Sequence, residues 1–202
     1  MIYRDKIRFL VLFFFSILAY TKVTGQKRTH KSQFKIVGYY FLNAVLRDTT
    51  QADSAYLFLN KITHLNIAFI NPDSSGNFRN DLAIDSLIRK AHDKNVKVLA
   101  SIAGGGPHPN YSQLLQDDKR EIFIGNLLDM VRRYQLDGID VDLEGDDIDD
   151  KYEMFVVGLA SLLHASHKII TAAIATTYKD KLPDDALKQF DFVNIMSYDR
   201  TG

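Results

Sequence analysis

The sequence contains no cysteine. Disulfides, thiolate metal sites, cysteine nucleophiles and a lipidated N-terminal cysteine are therefore excluded within it. Tryptophan is absent as well. Charge of either sign is not in excess, since 25 basic residues balance 25 acidic ones. A protein that binds nucleic acid through a positive footprint is a poor match to that balance, and a neutral carbohydrate or peptide substrate is an easier one. Long apolar runs are missing too. The run Phe9 to Tyr20 is the most apolar segment, and it falls short of the roughly 20 residues that span a bilayer.

That run follows Arg4, Lys6 and Arg8 and precedes Val23-Thr24-Gly25. A basic start, a short apolar stretch and small or modest residues at the cleavage positions read as an export signal over residues 1–25, cut before Gln26. A retained N-terminal anchor is the alternative. Export places the mature chain outside the cell or in the periplasm, with no membrane span. With 46% apolar residues, the mature chain has enough material for a core without disulfides.

From Lys27 to Ser32 the chain is a polar lead-in, and no linker is visible after it, so residues 26–202 read as one domain. Strands are expected at 34–40, 62–69, 96–102, 136–144, 168–174 and 192–197. Helices are expected at 81–94, 118–134 and 150–164, with a short one near 183–189. The helical stretches carry apolar stripes, among them Ile84, Leu87, Ile88 and Ala91. Strands alternating with helices imply parallel pairing. A doubly wound sheet satisfies that order, but its central strands should be apolar on both faces. Here Asn66, Ser101, Asp142, Glu144 and Tyr198 fall near C-terminal strand ends. Polar groups collected from many strand tips belong to the top face of a (β/α)8 barrel. The expected fold is thus α/β, a (β/α)8 TIM barrel of which about six units are present, incomplete at the C-terminus.

The most informative stretch is Asp137 to Glu144, DGIDVDLE. Alternate side chains of a strand point to opposite faces, so Asp140, Asp142 and Glu144 share one face and Ile139, Val141 and Leu143 the other. Burying three carboxylates together is costly unless hydrogen bonds or shared protons offset it. A site that needs a protonated acid near neutral pH benefits from that arrangement.

This strand resembles the DGxDxDxE signature of glycoside hydrolase family 18, which contains chitinases, endo-β-N-acetylglucosaminidases and lectins derived from them. Other regions agree in order and spacing. Lys35 to Tyr40 looks like the family's first strand and Ile62 to Phe69 like its second. Ser101 to Gly106 resembles the SxGG motif, and Met196-Ser197-Tyr198-Asp199 matches MxYD. The resemblance implies a general acid at Glu144, later acting as base for water. Asp142 would orient the substrate's 2-acetamido group, whose carbonyl oxygen attacks the anomeric carbon. Asp140 would sit below Asp142 and share a proton or hydrogen bond with it, and Tyr198 would donate to the acetamido group. This substrate-assisted route departs from the two-carboxylate scheme. Tyr40, Met196 and Asp199 would line the sugar subsite. Ser101, Gly104 and Gly105 would belong to the substrate-binding floor, the glycines allowing close backbone approach.

The implied substrate is chitin or another N-acetylglucosamine oligosaccharide, cleaved at β-1,4 bonds. An endo-β-N-acetylglucosaminidase acting on N-glycan cores and an inactive lectin-like binder are the alternatives. No cofactor or metal is expected. His64, His92, His108, His164 and His167 show no metal-ligand spacing. A calcium loop over Asp140 to Gly145 would put Lys151 where a bidentate glutamate is needed. Asp146, Asp147, Asp149 and Asp150 read as loop decoration and caps for the next helix. The chain departs from the family pattern at Leu143 and Ala103, where many members carry tryptophan and glycine. It also lacks the tryptophan that the family supplies from its eighth strand.

Overall fold

The structure, a computed structural model, describes residues 34–42, 58–80, 82–106 and 108–198. The export segment and Asp199 lie outside the described residues. Six strands, β1 (Val37–Phe41), β2 (His64–Ala68), β3 (Lys97–Ala103), β4 (Gly138–Asp142), β5 (Ile169–Ala175) and β6 (Phe192–Met196), form one sheet in chain order. Every pairing is parallel. The connections carry α1 (Leu82–His92), α2 (Pro109–Leu114), α3 (Arg120–Arg133), α4 (Tyr152–Ala165) and α5 (Asp184–Leu187). The sheet curls into part of a (β/α)8 barrel. Its first and last strands approach closely enough for Asn194 Nδ2 on β6 to donate to the Tyr39 hydroxyl on β1, 3.1 Å away. Among the described residues β1 and β6 each keep one unpaired edge.

The two faces of the sheet follow from the period of two. Ile67, Val98, Ile102, Ile139, Val141 and Ile170 point outward into one apolar core shared with the helices. There α3 and α4 meet through stacked Phe123 and Phe155 rings, 5.7 Å between centroids. The α1 stripe Ile84, Leu87, Ile88 and Ala91 is buried. Each such aliphatic side chain stabilises the fold by about 1.5–3 kcal/mol when fully buried. The inward face carries His64, Asn66, Ser101, Asp140, Asp142 and Thr171, the buried polar residues of the described chain.

Tight joints at the N-terminal ends of the strands hold the register. Three helices end in a residue with left-handed backbone: Asn95, Gln135 and His167, at φ 59°, 56° and 56°. In each joint the next amide bonds back into the helix: Val96 to Ala91, Leu136 to Val131 and Lys168 to Leu163, at 2.9–3.0 Å. Glycine usually fills this position; none does here. Beside these joints Asp137 accepts the Val98 amide at 2.8 Å and contacts His92 Nε2 at 2.9 Å. Asp191 does the same for Ile170 at 2.9 Å, with His164 Nε2 at 3.1 Å.

Differences from the sequence expectations are local. The short α2 lies outside the expected helices, because six residues show no helical period; its start is set by Pro109 and its burial by Tyr111 and Leu114. Strand β4 ends at Asp142, since Gly145 at φ 61° turns the chain away just beyond Glu144. No side chain caps α4 at its N-cap residue, Lys151. Asp149 instead accepts the Lys151 amide at 2.9 Å. No described helix is long and apolar enough to cross a membrane.

Candidate active site

Asp140 is fully buried in the centre of β4. The register places Ser101 of β3 and Thr171 of β5 directly beside it. Ser101 Oγ donates to Asp140 Oδ2 at 2.8 Å, and the Tyr39 hydroxyl reaches the same oxygen from β1 at 2.9 Å. Thr171 Oγ1 donates to Oδ1 at 2.5 Å. Burial pushes the Asp140 carboxyl above its ordinary range, while these donors pull it back. Burial and the adjacent carboxylate push the Tyr39 phenol up, so it stays a donor. Asn66 lies beside both and helps to pull each of them back down.

Asp142, one period further along β4, is treated differently. Its Oδ1 is buried and has no hydrogen-bond partner. Burial first, then the charges of Asp140 and Glu144, push its carboxyl up to about 8. A group in that range holds a proton at neutral pH. No hydrogen bond joins Asp140 to Asp142: the three hydroxyls occupy Asp140, and Asp142 Oδ1 stays free. Asp140 acts on Asp142 through its charge.

Glu144 follows in extended backbone at φ −128°, ψ 159°. Its loop is tied down on both sides. The Asp147 amide bonds back to the Glu144 carbonyl at 3.0 Å, and Lys181 Nζ donates to the Gly145 carbonyl at 3.0 Å. Glu144 forms a wall of two cavities. One, about 510 Å³, is lined by Tyr39, Phe41, Asp142, Met196 and Tyr198. The other, about 460 Å³, lies between the loops after β3, β4 and β5 and is lined by His108, Asp147 and Tyr178. In its wall His108 Nδ1 stands 3.6 Å from Asp147 Oδ2. Burial pushes the Asp147 carboxyl up, and His108 offsets part of that.

Two glycines have steric reasons. A Cβ on Gly138 would lie 1.9 Å from the Ile169 carbonyl oxygen. A Cβ on Gly104, at φ 98°, would lie 2.5 Å from the Phe69 ring. Ala103 just before it holds φ 68°, a conformation costly for a residue with a Cβ. It is braced there by Asn71, whose Oδ1 accepts the Ala103 amide at 2.6 Å and whose Nδ2 donates to the Ala103 carbonyl at 2.9 Å. The Tyr111 hydroxyl donates to Asn71 Oδ1 at 2.8 Å and locks the brace.

Asp142, Glu144, Gly105, Met196 and Tyr198 converge on the larger cavity, with Asp140 and Ser101 beneath it. Tyr198 is 74% exposed. Gly104 packs against Phe69, which lines the cavity. Tyr40 does not belong to the cleft: it packs against the outer core, and Tyr39 faces inward. The strand period explains the correction, because a shift of one residue moves a side chain to the other face. Thr171, which bonds Asp140, and Asn194, which reaches it through Tyr39, belong to no motif of the sequence. Their signal was a lone polar residue at inward parity in an apolar strand.

The class that this fold and site define is a (β/α)-barrel protein with an acidic cleft at the C-terminal ends of its strands. Residues 35–202 match the glycosyl hydrolases family 18, and the chain belongs to that family. A class V chitinase of Medicago truncatula, CHIT5a, is 27% identical over 161 residues, covering 75% of this chain and 40% of the relative. Among solved structures, the family 18 chitinase ChiB from the chitin utilization locus of Flavobacterium johnsoniae superposes with a TM-score of 0.74 at 36% identity. That match covers 83% of this chain and 55% of the other. A chitinase from Bacteroides thetaiotaomicron gives a TM-score of 0.66 at 27% identity, covering 83% and 54%. The chain thus spans about half the length of these relatives or less.

Proposed function

We propose that the chain carries the acid and acetamide-binding machinery of a chitinase-type glycosidase, cleaving β-1,4 bonds next to N-acetylglucosamine with retention. The observation that carries this reading is the graded set of carboxyls: Asp140 saturated by three hydroxyls, Asp142 raised to about 8 with a free oxygen, and Glu144 at the cavity wall. Two chitinase relatives with the same fold, at 36% and 27% identity, support it.

In this mechanism Glu144 gives its proton to the glycosidic oxygen as the bond to the anomeric carbon breaks. The acetamide carbonyl oxygen of the same sugar attacks that carbon from the opposite face and forms an oxazolinium-type ring. Asp142 accepts a hydrogen bond from the acetamide N–H through a carboxyl oxygen and orients the group. The Tyr198 hydroxyl steadies the carbonyl oxygen. Glu144, now a carboxylate, takes a proton from water, which opens the ring on the face that the leaving group left. Two inversions give retention, and no enzyme carboxylate bonds to the sugar. The export reading accompanies this one, resting on residues 4–25; N-terminal sequencing of secreted protein beginning at Gln26 would support it.

The test is product mass spectrometry with chitopentaose and a high-mannose glycopeptide in one reaction, beside Glu144→Gln. Short chitin fragments that disappear in the variant, with at least about 10³-fold loss of turnover and retained sugar binding, are expected. Full turnover by the variant would remove Glu144 from its role. A glycan released with one N-acetylglucosamine left on the peptide would reassign the substrate.

A further inference from the structure

The turn from Ala103 to Gly105 runs directly beneath two carboxyls of the cleft. The Gly104 amide donates to the Asp142 carbonyl at 3.0 Å. A Cβ on Gly105 would stand 3.8 Å from Glu144 Oε1, so the Glu144 carboxyl lies against the bare face of that glycine. The course of this turn depends on Ala103 keeping φ 68°. Alanine does not hold that conformation unaided, because its Cβ crowds the following carbonyl oxygen.

Asn71 supplies the hold, and backbone groups fix its orientation. The Ala103 amide only donates and meets Oδ1 at 2.6 Å; the Ala103 carbonyl only accepts and meets Nδ2 at 2.9 Å. The Tyr111 hydroxyl, 2.8 Å from Oδ1, is then the donor to it. One side-chain amide thus pins the peptide units on both sides of the Ala103 Cα. We propose that Asn71 is a positioning residue for the reaction: by clamping Ala103 in left-handed backbone it sets the Glu144 carboxyl against Gly105 at the cavity wall. This rests on the reading of Glu144 as the acid. Asn71 lines neither cavity, so it acts only through the turn.

The two halves of the clamp are not equal. The Tyr111 hydroxyl also stands 3.1 Å from the Ala103 amide and still accepts it when Asn71 is removed. The Ala103 carbonyl has no such second partner. It belongs to the same peptide unit as the Gly104 amide, whose bond to the Asp142 carbonyl ties the turn to β4. Without Nδ2 that peptide rotates toward the backbone region that alanine prefers, and the tie is lost with it. Asn71 is itself exposed, so its removal takes no apolar packing from the core. Glycine occupies left-handed backbone at no steric cost. Glycine at position 103 therefore makes the clamp dispensable, which separates this role from a general contribution to folding.

The experiment measures kcat and KM on chitopentaose for the full chain, for Asn71→Ala, and for the same substitution in an Ala103→Gly background. NMR shifts of the Gly104 and Gly105 amides and of the Glu144 side-chain carboxyl are followed in each. Asn71→Ala should lower kcat about 10-fold or more, with KM changed less than about threefold, and should move all three resonances. In the Ala103→Gly background the loss should shrink to about twofold, and the resonances should coincide with and without Asn71. Tyr111→Phe removes only the hydroxyl and serves should Asn71→Ala fold poorly; its loss should be smaller and be rescued in the same way. Equal losses in both backgrounds would overturn the proposal. So would unchanged kcat and resonances with only a lower melting temperature. An inactive unsubstituted chain would count against the proposed function, and the resonances would then decide the clamp alone.

Discussion

Asp137 and Asp142 lie five positions apart in one short stretch of chain and meet opposite fates. Asp137, at the N-terminal end of β4, is satisfied by the Val98 amide and by His92. Asp142, at the C-terminal end, keeps a buried oxygen without a partner and is pushed up to about 8. Asp191 repeats the first pattern one pair of strands later. The comparison teaches a rule for this fold. Asp137 and Asp191, at N-terminal ends, are spent on backbone amides, whereas Asp142, at a C-terminal end, keeps an oxygen that no donor reaches. The barrel rule that stability sits at one end and activity at the other here has a specific atomic form, the number of donors aimed at each oxygen.

Substitutions at the two ends should separate these roles. The largest effect is expected from Asp142→Asn, which should lower turnover of an N-acetylated substrate about 10²–10³-fold, measured at substrate saturation. A substrate with a free amine in place of the acetamide should already be cleaved poorly by the unsubstituted chain. Equal turnover of both substrates would sink the acetamide route.

Stability should move the other way for the same variant. The folded-state value of Asp142 lies above the unfolded value near 4. Its contribution is therefore fully present below about pH 4 and is lost as pH rises through about 8. Asn carries no charge to bury. At pH 9 Asp142→Asn should be more stable than the unsubstituted chain by about 2–4 kcal/mol, with the gap closing by pH 4. Urea unfolding at the two pH values decides it, and a gap that is constant with pH would contradict the assignment.

Asp137→Ala should instead cost about 1–3 kcal/mol by orphaning the Val98 amide, with turnover per folded molecule unchanged. Asp191→Ala should cost less, because both members of its histidine pair are more exposed. Calorimetry beside active-site titration would distinguish lost fold from lost chemistry. The smallest effect belongs to the helix joints. Gln135→Gly, at φ 56°, should gain about 0.5–1 kcal/mol. A loss on glycine substitution would show that the Gln135 side chain contributes more than its backbone costs.

The fold was legible wherever periodicity was strong. The α1, α3 and α4 stripes and the period-two acids each carry their own signal within a few residues. What escaped was set by contacts distant in sequence. Thr171 meets Asp140 across 31 positions and Tyr39 meets it across 101, and no local pattern encodes such a register. Tyr39 and Tyr40 are the same residue type in adjacent places, so parity alone separates them. The helix ends were blurred for a chemical reason: Asn95, Gln135 and His167 occupy positions where glycine would have marked the stop. Asn71 and Tyr111, which brace Ala103, carry no motif; their importance follows from the strain they hold at φ 68°.

Glu144 stands in the wall of both cavities at the top of the sheet. A chain molecule lying across the two would pass this one side chain, so both stretches of it would meet the same carboxyl.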